Sequence, residues 1–362
     1  MKKNLFVIGL ILILALLGGC DRREKLYILN WYDYVSEDLV KEFEKEYGVK
    51  VVVDPVTSNE SMYNKIETRA GKYDIVVPSE YMVERMYRDG MLLELDLSKI
   101  PNYDVNKVDE KLQELRETHF EEQQKYAVPY FWGTLAIMYN DAKPGVKELV
   151  EEHEWAVFFD RDIIPAGVKI GMYDSSRDAI ATALFHLDRS SNPESVDDLK
   201  DAEDLLVNFK YDFWGTDNIK EVIMTGNLDI ALVYSGDYFD TIFYAQETGG
   251  EITFGMHVPT GRNNVWFDNL AIPVTATKVD LAHEFINFIL EHDNAVENAA
   301  YVGYCPTYQD VYESLIEDEE LKEIVLHPGF HPGNIENAEV YLLLDREIAM
   351  KMDDILTKAR SK

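Results

Sequence analysis

Between residues 265 and 269 the chain reads Val-Trp-Phe-Asp-Asn, and Leu270-Ala271-Ile272-Pro273 follows. Val, Trp, Phe, Leu and Ile favour an extended backbone, in which successive side chains alternate between faces. Trp266 and Asp268 then share one face, and Phe267 turns the other way, into packing. An indole face beside a carboxylate is what an organic ammonium needs. The ring attracts the cation, while the carboxylate neutralises it and accepts its N–H bonds. The same pattern also suits a buried strand whose Trp packs and whose Asp caps a turn, so these residues alone leave both readings open.

Other reactive residues do not assemble into chemistry. His327 and His331 are four apart, but Pro328 and Gly329 between them forbid the helix that would align both imidazoles on one metal. Cys305 has no nearby His and reads as a small packed residue. Ser235-Gly236-Asp237 lacks a partner His, and Trp132, Trp155 and Trp214 lie in apolar settings that read as core. No P-loop, Rossmann glycine fingerprint or zinc spacing is present. The expectation is a binding protein with no enzymatic activity, no cofactor and no metal.

The elements that would position Trp266 and Asp268 begin after a leader. Lys2 and Lys3 are followed by an almost wholly apolar run over 5–17, too short for a comfortable membrane span, and the segment ends in Leu17-Gly18-Gly19-Cys20. The only other cysteine is Cys305. The formal charge is −32, and losing the two positive charges of Lys2 and Lys3 with the leader takes it to −34. Such a field repels nucleic acid and raises the local concentration of cations. The remaining chain, about 340 residues, is long enough for two ordinary domains.

Downstream, short β-like runs alternate with amphipathic helices. Strands are expected at 25–29, 50–53 and 73–77, with helices over 36–47, around Met62, Ile66 and Ala70, and from Ser79 to near Gly90. This βαβαβα order predicts a mostly parallel sheet covered by helices, with ligands beyond the carboxyl ends of the strands. Two loops sit there: Asn30-Trp31-Tyr32-Asp33-Tyr34 and Pro78-Ser79-Glu80-Tyr81. A second α/β unit follows, with strands at 168–173 and 229–234 and a helix from about 174 to 187, where Asp174 is a candidate cap. The stretches 126–140 and around Trp266 read as two crossovers between the units, and a helix over 282–291 would return to the first.

Several separated stretches together resemble the bacterial spermidine/putrescine-binding proteins of ABC importers. They are Leu26-Tyr27 through Asn30-Trp31 and Tyr34, Ser58-Asn59-Glu60-Ser61-Met62-Tyr63, Val76-Val77-Pro78-Ser79, Pro129-Tyr130-Phe131-Trp132-Gly133, Trp266 through Pro273, and Tyr301-Val302-Gly303-Tyr304. The likeness is collinear and spans essentially the whole chain after the leader. Leu-Gly-Gly-Cys likewise resembles a bacterial lipobox, which implies cleavage of 1–20, a lipid on Cys20, and no internal disulfide. The resemblance implies a two-lobed, periplasmic-binding-protein-like α/β fold of type II with a hinge. Lobe 1 would comprise about 21–131 and 272–305, and lobe 2 about 132–271 and 306–362.

Carried over by position, the resemblance implies an aromatic box of Trp31, Tyr34, Tyr81, Tyr234, Trp266 and Tyr304, with Tyr234 replacing a Trp. Asp268 matches the carboxylate beside the Trp, Asp178 an acidic position, and Ser79 a polar residue of the cleft. Ser175 stands where some members have an Asp, and Tyr341 where some have a ligand-binding Gln. Asp178 and Asp268 would hold two ammoniums, and Asp237 or Asp174 a third if either enters the cleft. The implied function is the extracytoplasmic, lipid-anchored and monomeric binding subunit of an ABC importer, handing putrescine, spermidine or both to permease subunits. Competing readings keep the fold for an amino acid, a ferric ion or a sugar, or make the chain a polyamine sensor.

Overall fold

The computed structural model describes residues 23–362. The leader over 1–20 and the lipidation expected at Cys20 lie outside them. Eleven strands appear among the described residues: β1 (Lys25–Trp31), β2 (Lys50–Val56), β3 (Ile75–Val76), β4 (Ala127–Asn140), β5 (Ile170–Tyr173), β6 (Phe213–Gly215), β7 (Ile230–Tyr234), β8 (Phe254–His257), β9 (Asn263–Ala271), β10 (Cys305–Pro306) and β11 (Ala338–Glu339). Their main order is β2-β1-β3-β9-β4-β7-β5-β6. β1 pairs in parallel with β2 and β3, and β5 in parallel with β6 and β7. Between these two parallel units run β4 and β9, antiparallel to each other, with β9 antiparallel to β3 and β4 antiparallel to β7. The expected parallel sheet is thus two short parallel sheets joined by an antiparallel pair, because both crossovers are themselves strands.

Local sequence explains the helix boundaries that matter. Ser36 caps the helix Glu37–Tyr47 by accepting the Leu39 N–H, and Gly48, at φ 67°, ends it in the left-handed region that favours glycine. Phe43 on this helix meets Phe285 and Phe288, at 5.0 and 5.4 Å between ring centroids, so the helix Val279–Ile289 does return to the first parallel unit. The helix Ser176–His186 follows β5, and its cap is Ser175, whose Oγ accepts the Asp178 N–H at 3.3 Å. Asp174, weighed as a cap from sequence, instead lies 3.2 Å from the Arg360 guanidinium at the end of the helix Arg346–Arg360. A serine one residue nearer the helix reaches the Asp178 N–H, which frees Asp174 for that ion pair.

β4 is fully buried except at its last residue, and every residue of β9 is buried. Pairing of the two breaks register between Pro129 and Trp132, where Pro129 has no N–H to donate to a ladder. Gly133 then sits directly opposite Trp266. A Cβ on Gly133 would come within 2.5 Å of Trp266 Cζ2, so the indole lies flat across the glycine backbone. Trp132 on the same strand is wholly buried, and its indole N–H donates to the Pro306 carbonyl at 3.1 Å, as a core residue should.

Replacing Gly133 with alanine is therefore expected to displace the Trp266 ring and cost about 1–3 kcal/mol of stability. Urea unfolding measures this, and an unchanged midpoint would show that the indole does not need the glycine.

Candidate functional site

Four chain segments leave the carboxyl ends of parallel strands and converge on β9. They are the loop after β1, the loop from β3 into the helix Glu80–Arg88, the turn from β5 into Ser176–His186, and the turn from β7 into the helix Ser235–Thr248. All four lead into a helix N-terminus, where the backbone dipole favours a carboxylate. The helices after β3, β5 and β7 carry a buried carboxylate in the first turn: Glu80, Asp178 and Asp237.

Asp268 on β9 forms a bridge with Ser79, whose Oγ donates to Asp268 Oδ1 at 2.6 Å. Ser79 is itself held by Asn59, which donates to its Oγ and accepts its N–H, both at 3.0 Å. The buried Tyr34 hydroxyl also lies beside Asp268 and lowers its pKa. Burial pushes the Asp268 carboxyl up to about 7, against the opposing effects of Ser79 and Tyr34. Phe267 faces the other way, as alternation requires, and packs on Phe120 at 5.7 Å.

Rings surround this carboxylate. Tyr173, Tyr234, Trp266, Tyr304 and Tyr34 form a continuous edge-to-face series, with successive centroids 4.9, 5.6, 5.3 and 5.6 Å apart. Tyr304 lies on the backbone of Gly236, where a Cβ would fall 2.3 Å from ring atoms. The indole N–H groups of Trp31 and Trp266 are buried and have no acceptor. Tyr81 and Tyr341 form a separate pair at 6.3 Å, and the Tyr81 hydroxyl donates to Glu60 at 3.2 Å.

Asp178 joins the two groups of rings, accepting from the Tyr234 hydroxyl at 2.8 Å and the Tyr341 hydroxyl at 3.0 Å. Burial raises its pKa, and hydrogen bonds from Ser175, Tyr234 and Tyr341 oppose that rise. Asp237 accepts from the Tyr304 hydroxyl at 3.2 Å and from the Tyr234 N–H at 3.1 Å. Burial lifts it to about 7, with the Lys220 ammonium opposing. Asp237 thus does reach the tyrosines of the box, whereas Asp174 is taken by Arg360.

Ten of the twelve residues singled out from sequence fall on the segments that converge here and on β9, while Tyr304, before β10, and Tyr341, after β11, join them through ring contacts and hydrogen bonds. Ser175 acts as the cap described above, and Trp31, at the end of β1, is partly buried. Three further residues were not singled out. Glu80, 1% exposed, accepts the Phe267 N–H at 3.0 Å through Oε2, while Oε1 is buried with no partner. Burial raises it to about 8, and the nearby Asp268 charge adds to the rise. Its position between Ser79 and Tyr81 in a strand-end loop was the available signal. Arg177 lies over the Tyr341 ring at 4.5 Å and nearer Tyr341 than Tyr81, and donates to Asn192 at 2.7 Å and the Leu342 carbonyl at 3.2 Å. Lys220, on the helix Ile219–Met224, had no sequence signal at all.

The arrangement can bind cations. Its buried carboxylates need positive charge, and its ring faces attract an entering ammonium and pack against its methylenes. It offers no nucleophile poised against a base. Near neutral pH the ligand-free fold bears the cost of burying Asp268. The linkage sign follows from its raised pKa, about 7 here against 3.8 ordinarily. Stability is full below the ordinary value and is lost as pH rises towards 7. Asp268→Asn is therefore expected to stabilise the ligand-free protein by roughly 2 kcal/mol at pH 8 and by little near pH 4. Thermal melts at the two pH values test this, and a pH-independent effect would contradict it.

Residues 38–324 match the family model described as bacterial extracellular solute-binding protein. The chain is 29% identical over 351 residues to the putrescine-binding periplasmic protein PotF of Escherichia coli, covering 94% of this chain and 91% of that one. Among solved structures, a putative spermidine/putrescine ABC transporter protein from Listeria monocytogenes is 32% identical, with a TM-score of 0.79 over 93% of this chain and 99% of that one. The TpPotD lipoprotein of Treponema pallidum is 25% identical, with a TM-score of 0.75 over 94% of this chain and 100% of that one. The two parallel units joined by β4 and β9 are thus the α/β periplasmic-binding-protein fold. The chain belongs to the bacterial extracellular solute-binding protein family, and it is a binding protein, not an enzyme.

Proposed function

We propose that this protein is the polyamine-binding subunit of an ABC importer. The observation that carries the reading is Asp268, a carboxylate 4% exposed beside the rings, which accepts from the Ser79 hydroxyl and has the Tyr34 hydroxyl beside it but no cation among the described residues. A buried anion in that state calls for a cation, and the flanking rings call for one attached to apolar methylenes. Relatives named for putrescine and spermidine binding support the same class. Arg177, which could have served the carboxylate of an amino acid, is stacked on Tyr341 and hydrogen-bonded to Asn192 and Leu342.

In this reading the box residues are Trp31, Tyr34, Tyr81, Tyr234, Trp266 and Tyr304. Asp268 and Asp178 hold the ligand's ammoniums, and Ser79, Ser175 and Tyr341 orient those carboxylates. Lobe 1 is 21–131 with 272–305, and lobe 2 is 132–271 with 306–362, hinged on β4 and β9. Without ligand, carboxylates from the two lobes repel and favour opening; ligand cations remove the repulsion and favour closure. The protein works as a monomer outside the cytoplasm, tethered by a lipid on Cys20, and passes its ligand to permease subunits.

Thermal-shift measurements should give a large upward shift with putrescine or spermidine and none with amino acids. Asp268→Asn should weaken polyamine binding on the order of a hundredfold or more, the loss expected when a buried charge pair is broken. Because the ligand needs Asp268 ionised, affinity should fall about tenfold from pH 8 to pH 6, with a proton released on binding near neutrality. Undiminished binding by Asp268→Asn, or a flat pH profile, would refute the reading.

A further inference from the structure

Asp237 is the carboxylate with the most unusual company. It is 5% exposed and sits under the Tyr304 hydroxyl. Facing it is Lys220, whose Nζ lies 4.0 Å from Asp237 Oδ1 and donates directly to Asp240. The Lys220 side chain is 20% exposed. Burial lowers its pKa, but Asp237 and Asp240 more than offset this and hold the ammonium charged. The chain therefore supplies its own ammonium to a tyrosine-capped carboxylate at the ring box, the surroundings that an ammonium of the ligand would otherwise seek.

Arg177 supplies a second resident charge. It lies over Tyr341, a hydrogen-bond donor to Asp178, and within electrostatic reach of both Asp178 and Glu80. Four buried carboxylates thus surround the box (Glu80, Asp178, Asp237 and Asp268), and two fixed cations, Lys220 and Arg177, face them. Lys220 also serves Asp240, so the positive charge facing Asp237 is already part of the chain. A cation brought to Asp237 would meet Lys220 in a poorly hydrated setting, where like charges repel strongly.

We propose that the site prefers a linear diamine, and that Lys220 is the residue that sets this specificity by occupying the position of a third ammonium. The proposal rests on the polyamine reading above and deepens it. Lys220 acts on ligand choice through Asp237 and is not itself a ligand contact. Removing its charge should open Asp237 to the extra ammonium of a triamine and leave the diamine contacts at Asp268 and Asp178 in place.

The test is calorimetry with putrescine and spermidine at one ionic strength, on the wild-type protein, Lys220→Gln and Lys220→Arg. Wild type is expected to bind putrescine at least about tenfold tighter than spermidine, Lys220→Gln to move that ratio about tenfold or more towards spermidine, and Lys220→Arg to keep the wild-type preference. A wild-type preference for spermidine would overturn the proposal, as would a Lys220→Gln protein in which both affinities change by the same factor. Should thermal melts show that Lys220→Gln does not fold, the wild-type ratio and Lys220→Arg still decide. Binding of neither polyamine by wild type would overturn the polyamine reading itself, a result distinct from binding with the wrong preference.

Discussion

Burying a carboxylate costs free energy that only positive charge or a proton can return, and this constraint organises the molecule around Asp268. The residue is placed by β9, backed by Ser79, bordered by Tyr34 and next to Trp266. None of these neighbours carries a positive charge. Its carboxyl accordingly rises to about 7, near the point at which it holds a proton half of the time. A fold that keeps such a group gives up stability for it, and that trade is characteristic of binding sites. The same logic extends to Glu80 and Asp178, which are buried on helix N-termini whose dipoles offset part of the cost.

The sheet topology makes this concentration of charge possible. Two parallel units point the carboxyl ends of β1, β3, β5 and β7 at one antiparallel pair, so four loops meet where one would otherwise stand alone. Because β4 and β9 each run through both units, the residues of the crossover are also residues of the site. Gly133 and Gly236 lie beneath rings for that reason: Trp266 and Tyr304 need close approach to the backbone, and any side chain at those glycines would lift them out of place. Packing and recognition therefore share atoms here, and a change meant to affect one will disturb the other.

Much of this arrangement was legible in the residues themselves. Alternation placed Trp266 and Asp268 together and turned Phe267 away, and helix stop signals such as Gly48 fell where periodicity put them. Strand ends were less legible. The run over 73–77 is a strand only at Ile75–Val76, although Asp74 and Val77 still donate their N–H groups to the Tyr27 and Leu29 carbonyls of β1. Asp174 and Ser175 illustrate a second limit, because either could cap the helix and the choice depended on Arg360, distant in sequence. Lys220 marks the third. A lysine on a short amphipathic helix looks like any solvated charge until tertiary structure sets it against Asp237 and Asp240.

The central claim is that Asp268 and the rings beside it are the seat of a polyamine ammonium. A crystal structure of the protein with putrescine tests it most directly. The account predicts one terminal nitrogen at a charge-assisted hydrogen-bond distance, about 2.7–2.9 Å, from the Asp268 carboxylate, with the methylenes lying among Trp266, Tyr304 and Tyr34. Putrescine bound elsewhere, with no nitrogen near Asp268, would contradict it.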